Sequence, residues 1–297
     1  MAFSQNVRGI AAMVVAMAAF VANDSCMKLA LSDSPPFQVL VMRGIAACLW
    51  CLPVIAAMGL LRELPKAFNP WVALRSFSEV FAILSFILAL GKMPIADVAA
   101  IAQIAPLIVL LGMWLLFGEK VGGLRMALIG LGITGALLVA QPGGGAASPY
   151  AIFAFFTAVG AAFRDILSRK VPPGTPALMV TFSTLLIVML SALAMSLVFE
   201  TPVQPTLRHA WLMLVAGFFL MCGHSFVFMA YRMSPARVVA PFSYSMMIWA
   251  AISGLLVFGD VPNTLAIAGM ALIMAAGLAV VLLEGRTRQG VAVPAKS

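Results

Sequence analysis

The chain has 297 residues, of which 63% are hydrophobic and 9% charged, and its net charge is +8. A soluble domain carries about 25% charged residues, so a water-soluble globule is excluded, and the chain is far too apolar for disorder. Four cysteines are too few for a disulfide-stapled secreted module, which leaves an all-α polytopic membrane protein.

A helix needs roughly 20 mostly apolar residues to cross the hydrocarbon core. Such stretches follow one another at about 9–31, 38–60, 71–91, 97–117, 122–140, 149–168, 177–199, 210–231, 237–258 and 262–283. The first has Arg8 ahead of an apolar run, as a signal peptide would. The run continues to Leu31, too long for the apolar region of a cleaved leader. Breaker clusters separate the stretches: Ser34-Pro35-Pro36, Asn69-Pro70, Gln141-Pro142-Gly143, Pro172-Pro173-Gly174 and Asp260-Val261-Pro262-Asn263. The stretches are solidly apolar rather than alternating, which excludes a membrane barrel.

With ten spans, Lys28, Arg43, Lys92 and Arg208 fall on one side and every other lysine and arginine on the other. The positive-inside rule then puts both termini in the cytoplasm of a multi-pass protein of a bacterial inner membrane. The net charge is an orientation signal and an attraction to anionic lipid. No basic face with interleaved aromatics exists outside the spans, so no nucleic-acid partner is expected.

The chain repeats at an offset near 140. Ser85-Phe86, Lys92-Met93, Ala96 and Val98 recur as Ser225-Phe226, Arg232-Met233, Ala236 and Val238. Phe117-Gly118-Glu119 recurs as Phe258-Gly259-Asp260, and Asp24 with Lys28 recurs as Asp165 with Arg169. The two units are 1–142 and 143–297, five spans each, with the glycines at 143–145 as the seam. Five is odd, so the second half enters the membrane from the opposite side. The expected fold is therefore two inverted-topology five-helix repeats, the organisation of secondary transporters that hold substrate near the midplane.

These features resemble the drug/metabolite transporter superfamily, EamA type. Lys92-Met93-Pro94, Pro106 and Phe117-Gly118-Glu119 carry the resemblance, which covers essentially the whole chain. Within that group the chain is similar to the YddG-type exporters. That resemblance implies alternating-access export of amino acids, aromatic and hydrophobic ones favoured, with broad specificity.

Ionisable residues within spans are the first functional candidates. Asp24–Lys28 and Asp165–Arg169 are i,i+4 pairs. They read as helix-end ion pairs or as gates at opposite faces. Glu79 is expected about 12 Å deep by the helical rise, either as a cavity carboxylate or paired with Arg75 one turn earlier. His224, mid-span, reads as a structural histidine or a proton-coupled group. Asn23, Gln103, Ser243 and Tyr244 could hold a zwitterion's carboxylate and ammonium or could bridge helices. Phe163 is placed on the cavity wall or facing lipid. Pro106 and Pro241 fall inside spans and break them, which places the cavity beside spans four and nine.

Gly130, Gly132, Gly135, Gly269 and Gly277 allow close helix approach; intramolecular packing is the first reading and a homodimer contact the second. Cys48-Leu49-Trp50-Cys51 lies within a span and reads as packing. Two histidines offer no metal site, no cofactor is expected, and no G-x-x-x-x-G-K-[ST] loop implies ATP drive. Two rivals stay open. One is a carrier of the same fold for a nucleoside, a polyamine or an S-adenosylmethionine-like cation, which needs unpaired cavity acids. The other is an intramembrane enzyme, which needs a convergent catalytic cluster.

Overall fold

The computed structural model describes residues 2–118, 122–141 and 148–289. Glu119 and the glycines at 143–145 lie outside the described residues. Among the described residues ten helical segments are long and apolar enough to cross a membrane. The helices are α1 (Ala2–Ala30), α2 (Pro36–Ala57), α3 (Pro70–Leu90), α4 (Ile95–Ala102), α5 (Ala105–Phe117), α6 (Gly123–Ala140), α7 (Ala151–Ser168), α8 (Ala177–Phe199), α9 (Leu207–Met233), α10 (Ala236–Val239), α11 (Ser245–Ser253) and α12 (Thr264–Gln289). No strand occurs among the described residues.

The sequence punctuation explains the ends. Pro36 and Pro70 occupy first-turn positions, where a missing N–H is harmless. The Asn69 side chain accepts the Trp71 N–H. Thr206 and His209 form a reciprocal cap on α9. Gly118 and Gly259 close spans four and nine with φ of 66° and 72°, the left-handed turn that glycine takes without strain.

Two spans are discontinuous. In span four α4 stops at Ala102 and α5 restarts at Ala105, with Pro106 in its first turn. Span nine runs from α10 through a 3₁₀ turn at Ala240–Tyr244, which contains Pro241, into α11 and a π-helical end at Gly254–Phe258. A proline removes one intrahelical bond and crowds the preceding turn. The Gln103 side-chain amide donates to the Ser243 carbonyl at 2.9 Å, so each interruption supports the other.

The packing obeys the exchange of halves. α1 lies along α9, and its counterpart α7 lies along α3. α2 crosses α8 and α6 crosses α12, each pair mapping onto itself, and spans four and nine meet through α4 and α11. α2 on α9 is mirrored by α8 on α3, and α1 on α11 by α7 on α5. This is a pseudo-two-fold arrangement of inverted repeats. At the α6–α12 crossing a Cβ built on Gly135 would lie 2.7 Å from the Gly269 carbonyl oxygen, and one on Gly269 would lie 2.5 Å from that of Gly135. These two glycines thus serve packing within the chain, as the first of the two expected readings has it. Gly130 faces open space.

Candidate functional site

Charged side chains from both halves converge on one cavity of about 360 Å³. Arg43 of α2, Arg75, Glu79 and Ile83 of α3, Arg164 of α7 and His224 of α9 contribute to its wall. Thr181, Thr184, Leu185 and Val188 of α8 complete much of the rest. It reaches Ser168, Val171 and Ala177 at the α7–α8 connection. The more spacious grooves are apolar, among them one of about 610 Å³ lined by Val15, Phe219, Phe226 and Trp249.

Glu79 is paired, though not with Arg75. Arg164 Nη1 donates to both Glu79 oxygens at 3.1 Å, and Arg164 Nε donates to Asp165 Oδ1 at 2.8 Å. The partner lies on α7 because α3 and α7 run side by side, a contact the local sequence does not reveal. Arg75 turns instead to hydroxyls: Thr184 Oγ1 at 2.7 Å and Ser168 Oγ at 3.4 Å.

Arg43 is 5% exposed, and its Nε has no hydrogen-bond partner among the described residues. Among those residues no carboxylate lies within ion-pair distance of it. Its charge acts on Asp24 behind it and on Glu79 across the cavity. A charge at the bilayer centre costs about 2.5–3.5 kcal/mol on insertion scales. A membrane helix contact returns only ~0.6–2 kcal/mol. Composition places it among the orientation charges of its face. Its position well inside the run 38–60 is the signal that singles it out.

His224 lines the polar cavity with its ring edge-on to Phe20, centroids 5.2 Å apart. It also borders an apolar chamber of about 390 Å³ lined by Val54, Met58, Leu178, Phe228 and Met229. The two spaces share His224, Ala177 and Thr181.

The remaining expected site residues lie elsewhere. Asn23 is 2% exposed and donates to Asp24 Oδ1 at 2.8 Å. Gln103 and Ser243 bridge the two helix interruptions. Tyr244 is 3% exposed and stacked so closely on Gly277 that a Cβ there would lie 1.8 Å from its hydroxyl. Phe163 is 50% exposed on the outer surface of α7, outside the cavity wall. It takes the lipid-facing alternative because the helix turns Arg164 inward and Phe163 away.

Neither i,i+4 ion pair forms. Lys28 leaves Asp24 for Asp260 at 3.5 Å and the Met93 carbonyl at 2.5 Å, with its ammonium 5.0 Å from the Phe258 ring. Asp165 takes Arg164 rather than Arg169. In both cases a neighbouring helix presents a better-placed partner than the next turn of the same helix.

Lys28–Asp260 and a second group of contacts both sit at the Ala30 end of α1. There Arg208 Nη1 meets Asp33 Oδ2 at 3.0 Å, and His209 Nε2 meets Asp33 Oδ1 at 2.9 Å. His209 Nδ1 accepts the Thr206 N–H at 3.1 Å, so Nε2 presents the proton to Asp33. That hydrogen bond holds the Asp33 carboxyl below its ordinary value of 3.8. Glu200 accepts from the Phe37 and Gln38 N–H groups at 2.7 and 3.0 Å, capping α2 from the other half. Sequence patterning could not pair these residues, since all are joined across the two halves. Among the described residues no group of three His, Cys, Asp or Glu side chains could hold a metal ion.

The EamA-like transporter family model matches residues 7–141 and again 148–283. The chain is 26% identical over 284 residues to the pseudopaline exporter CntI of Pseudomonas aeruginosa, covering 95% of this chain and 97% of that one. It is 28% identical over 245 residues to a riboflavin transporter of Rhizobium johnstonii, covering 81% and 79%. It is 21% identical over 267 residues to an S-adenosylmethionine uptake transporter of Rickettsia prowazekii, covering 89% of each. A solved structure superimposes with a TM-score of 0.60 at 19% identity, covering 93% of this chain and 98% of that one. Two matches of one transporter model, one per inverted half, show that the chain belongs to the EamA-like transporter family.

Proposed function

We propose that the chain is a secondary carrier that exports amino acids across a bacterial inner membrane by alternating access. The observation that carries this reading is Arg43, a buried guanidinium with an unpartnered Nε that lines the charged cavity. A carboxylate is the group that neutralises such a cation with charge-assisted hydrogen bonds. Glu79 across the cavity offers oxygens to an ammonium. The apolar chamber beyond His224 receives an aliphatic or aromatic side chain. The polar cavity carries three arginines, and apolar recognition falls to its neighbour.

In this reading the units 1–142 and 143–297 are the two rocking halves, with both termini cytoplasmic. The cavity then faces the cytoplasm, and Lys28–Asp260 with Asp33–Arg208 closes the periplasmic side. A second reading, a carrier of another small metabolite, draws on the relatives named for pseudopaline, riboflavin and S-adenosylmethionine. The arginines disfavour its polyamine and cation versions, because like charges repel in a low-dielectric cavity.

The test is binding of labelled phenylalanine, tryptophan, threonine and methionine to purified protein. Saturable binding that falls at least about tenfold in Arg43→Gln, the factor for a 1.4 kcal/mol contact, supports the reading. No binding of any of them, nor of glutamate, to folded protein removes it.

A further inference from the structure

We infer that the preferred substrate is an amino dicarboxylate, with one carboxylate at Arg43 and the second at Arg75. This rests on the reading of the cavity as a carboxylate site and names its substrate class.

The three cavity arginines are not equivalent. Arg164 is neutralised from two sides, by Glu79 and by Asp165. Arg75 is oriented but not neutralised: Thr184 and Ser168 give it hydroxyl oxygens without charge. Ser76 Oγ, 3.0 Å from Thr184 Oγ1, holds that hydroxyl in turn. Among the described residues no carboxylate lies within ion-pair distance of Arg75 or Arg43. Two guanidiniums therefore face one cavity without a carboxylate in ion-pair contact.

Their depths differ. Arg43 lies about two turns in from the Pro36 end of α2, and Arg75 about a turn and a half in from the Pro70 end of α3. Those helix ends belong to opposite faces. With a rise of 1.5 Å per residue and a core of about 30 Å, the two backbones are separated by roughly 12 Å in depth. Glu79 is one turn further in than Arg75, between the two levels. The order along the cavity is cation, acid, cation. Two carboxylates, one per guanidinium, give each cation its own charge-assisted partner. A substrate with carboxylates on either side of an ammonium matches all three levels. An amino monocarboxylate leaves Arg75 unmet.

The experiment compares near-isosteric ligands that differ in one charge. Purified protein is titrated with glutamate, 2-aminoadipate and glutamine, and the thermal midpoint is followed against ligand concentration. Glutamate and 2-aminoadipate are expected to bind at least about tenfold more tightly than glutamine, as one charge-assisted contact of 1.4 kcal/mol requires. That ratio is expected to collapse towards one in Arg75→Gln and to survive in part in Arg75→Lys. Each ratio is internal to one variant, so a change in fold stability does not produce it. A ratio near one in the unmodified protein, or an unchanged ratio in Arg75→Gln, overturns the dicarboxylate assignment. If glutamate, phenylalanine and methionine all leave the midpoint unmoved, the carboxylate-site reading itself has failed.

Discussion

At the scale of single residues, Arg43 and Arg164 are alike in type and differ in their partners. Arg164 has two acidic partners and ties α3 to α7. Arg43 has its charge buried and its Nε without a partner. A stability measurement separates the two. Arg43→Leu is expected to keep or raise the thermal midpoint while abolishing amino-acid binding, because the substitution removes a desolvation cost. Arg164→Leu is expected to lower the midpoint by several degrees, because it strands Glu79. Equal destabilisation by both would remove the distinction. Glu79 and His224 were legible from the sequence as ionisable groups within spans. Their partners were not, because Arg164 and Phe20 reach them across helix contacts that only the fold creates.

At the scale of elements, the interruptions in spans four and nine were written in Pro106 and Pro241. The mutual support of those interruptions was not, since Gln103 meets the Ser243 backbone rather than its side chain. The i,i+4 expectation failed for a physical reason. Pairs on one helix gain only about 0.2–0.5 kcal/mol, and a cation such as Lys28 does better with a carbonyl, an acid and an aromatic ring on other helices. The α6–α12 crossing gives a test of close packing. Gly135→Leu would drive its side chain into the Gly269 carbonyl and Ile273. Overpacking of this kind costs typically about 1–3 kcal/mol. The thermal midpoint of Gly135→Leu is expected to fall well below that of Gly130→Leu, whose added side chain meets open space. Indistinguishable midpoints would show that the crossing is not tight.

At the scale of the whole molecule, ten spans and their inverted halves were legible because apolar length and an odd span number dictate them. The contacts at the Ala30 end of α1 were not, because residues 175 positions apart in sequence meet there: Arg208 with Asp33, and His209 with Ser34. Their behaviour with pH follows from Asp33. The folded carboxyl ionises below 3.8, so its contribution is complete above that value and is lost as pH falls through the lowered one. Between pH 6 and about 3 the unmodified protein is therefore expected to lose more thermal stability than Asp33→Asn. Parallel losses in both proteins would show that the latch carries no acid-sensitive stability.

The central claim is that this inverted-repeat fold carries amino acids past a guanidinium-lined cavity. Counterflow tests it most directly: proteoliposomes preloaded with excess unlabelled amino acid are given a trace of the same compound in labelled form, beside empty liposomes and Arg43→Gln. Transient accumulation of label is expected with the unmodified protein, and its loss with Arg43→Gln. Absence of counterflow for every amino acid, in vesicles shown to hold folded protein, would contradict it, as would accumulation that ignores the loss of Arg43.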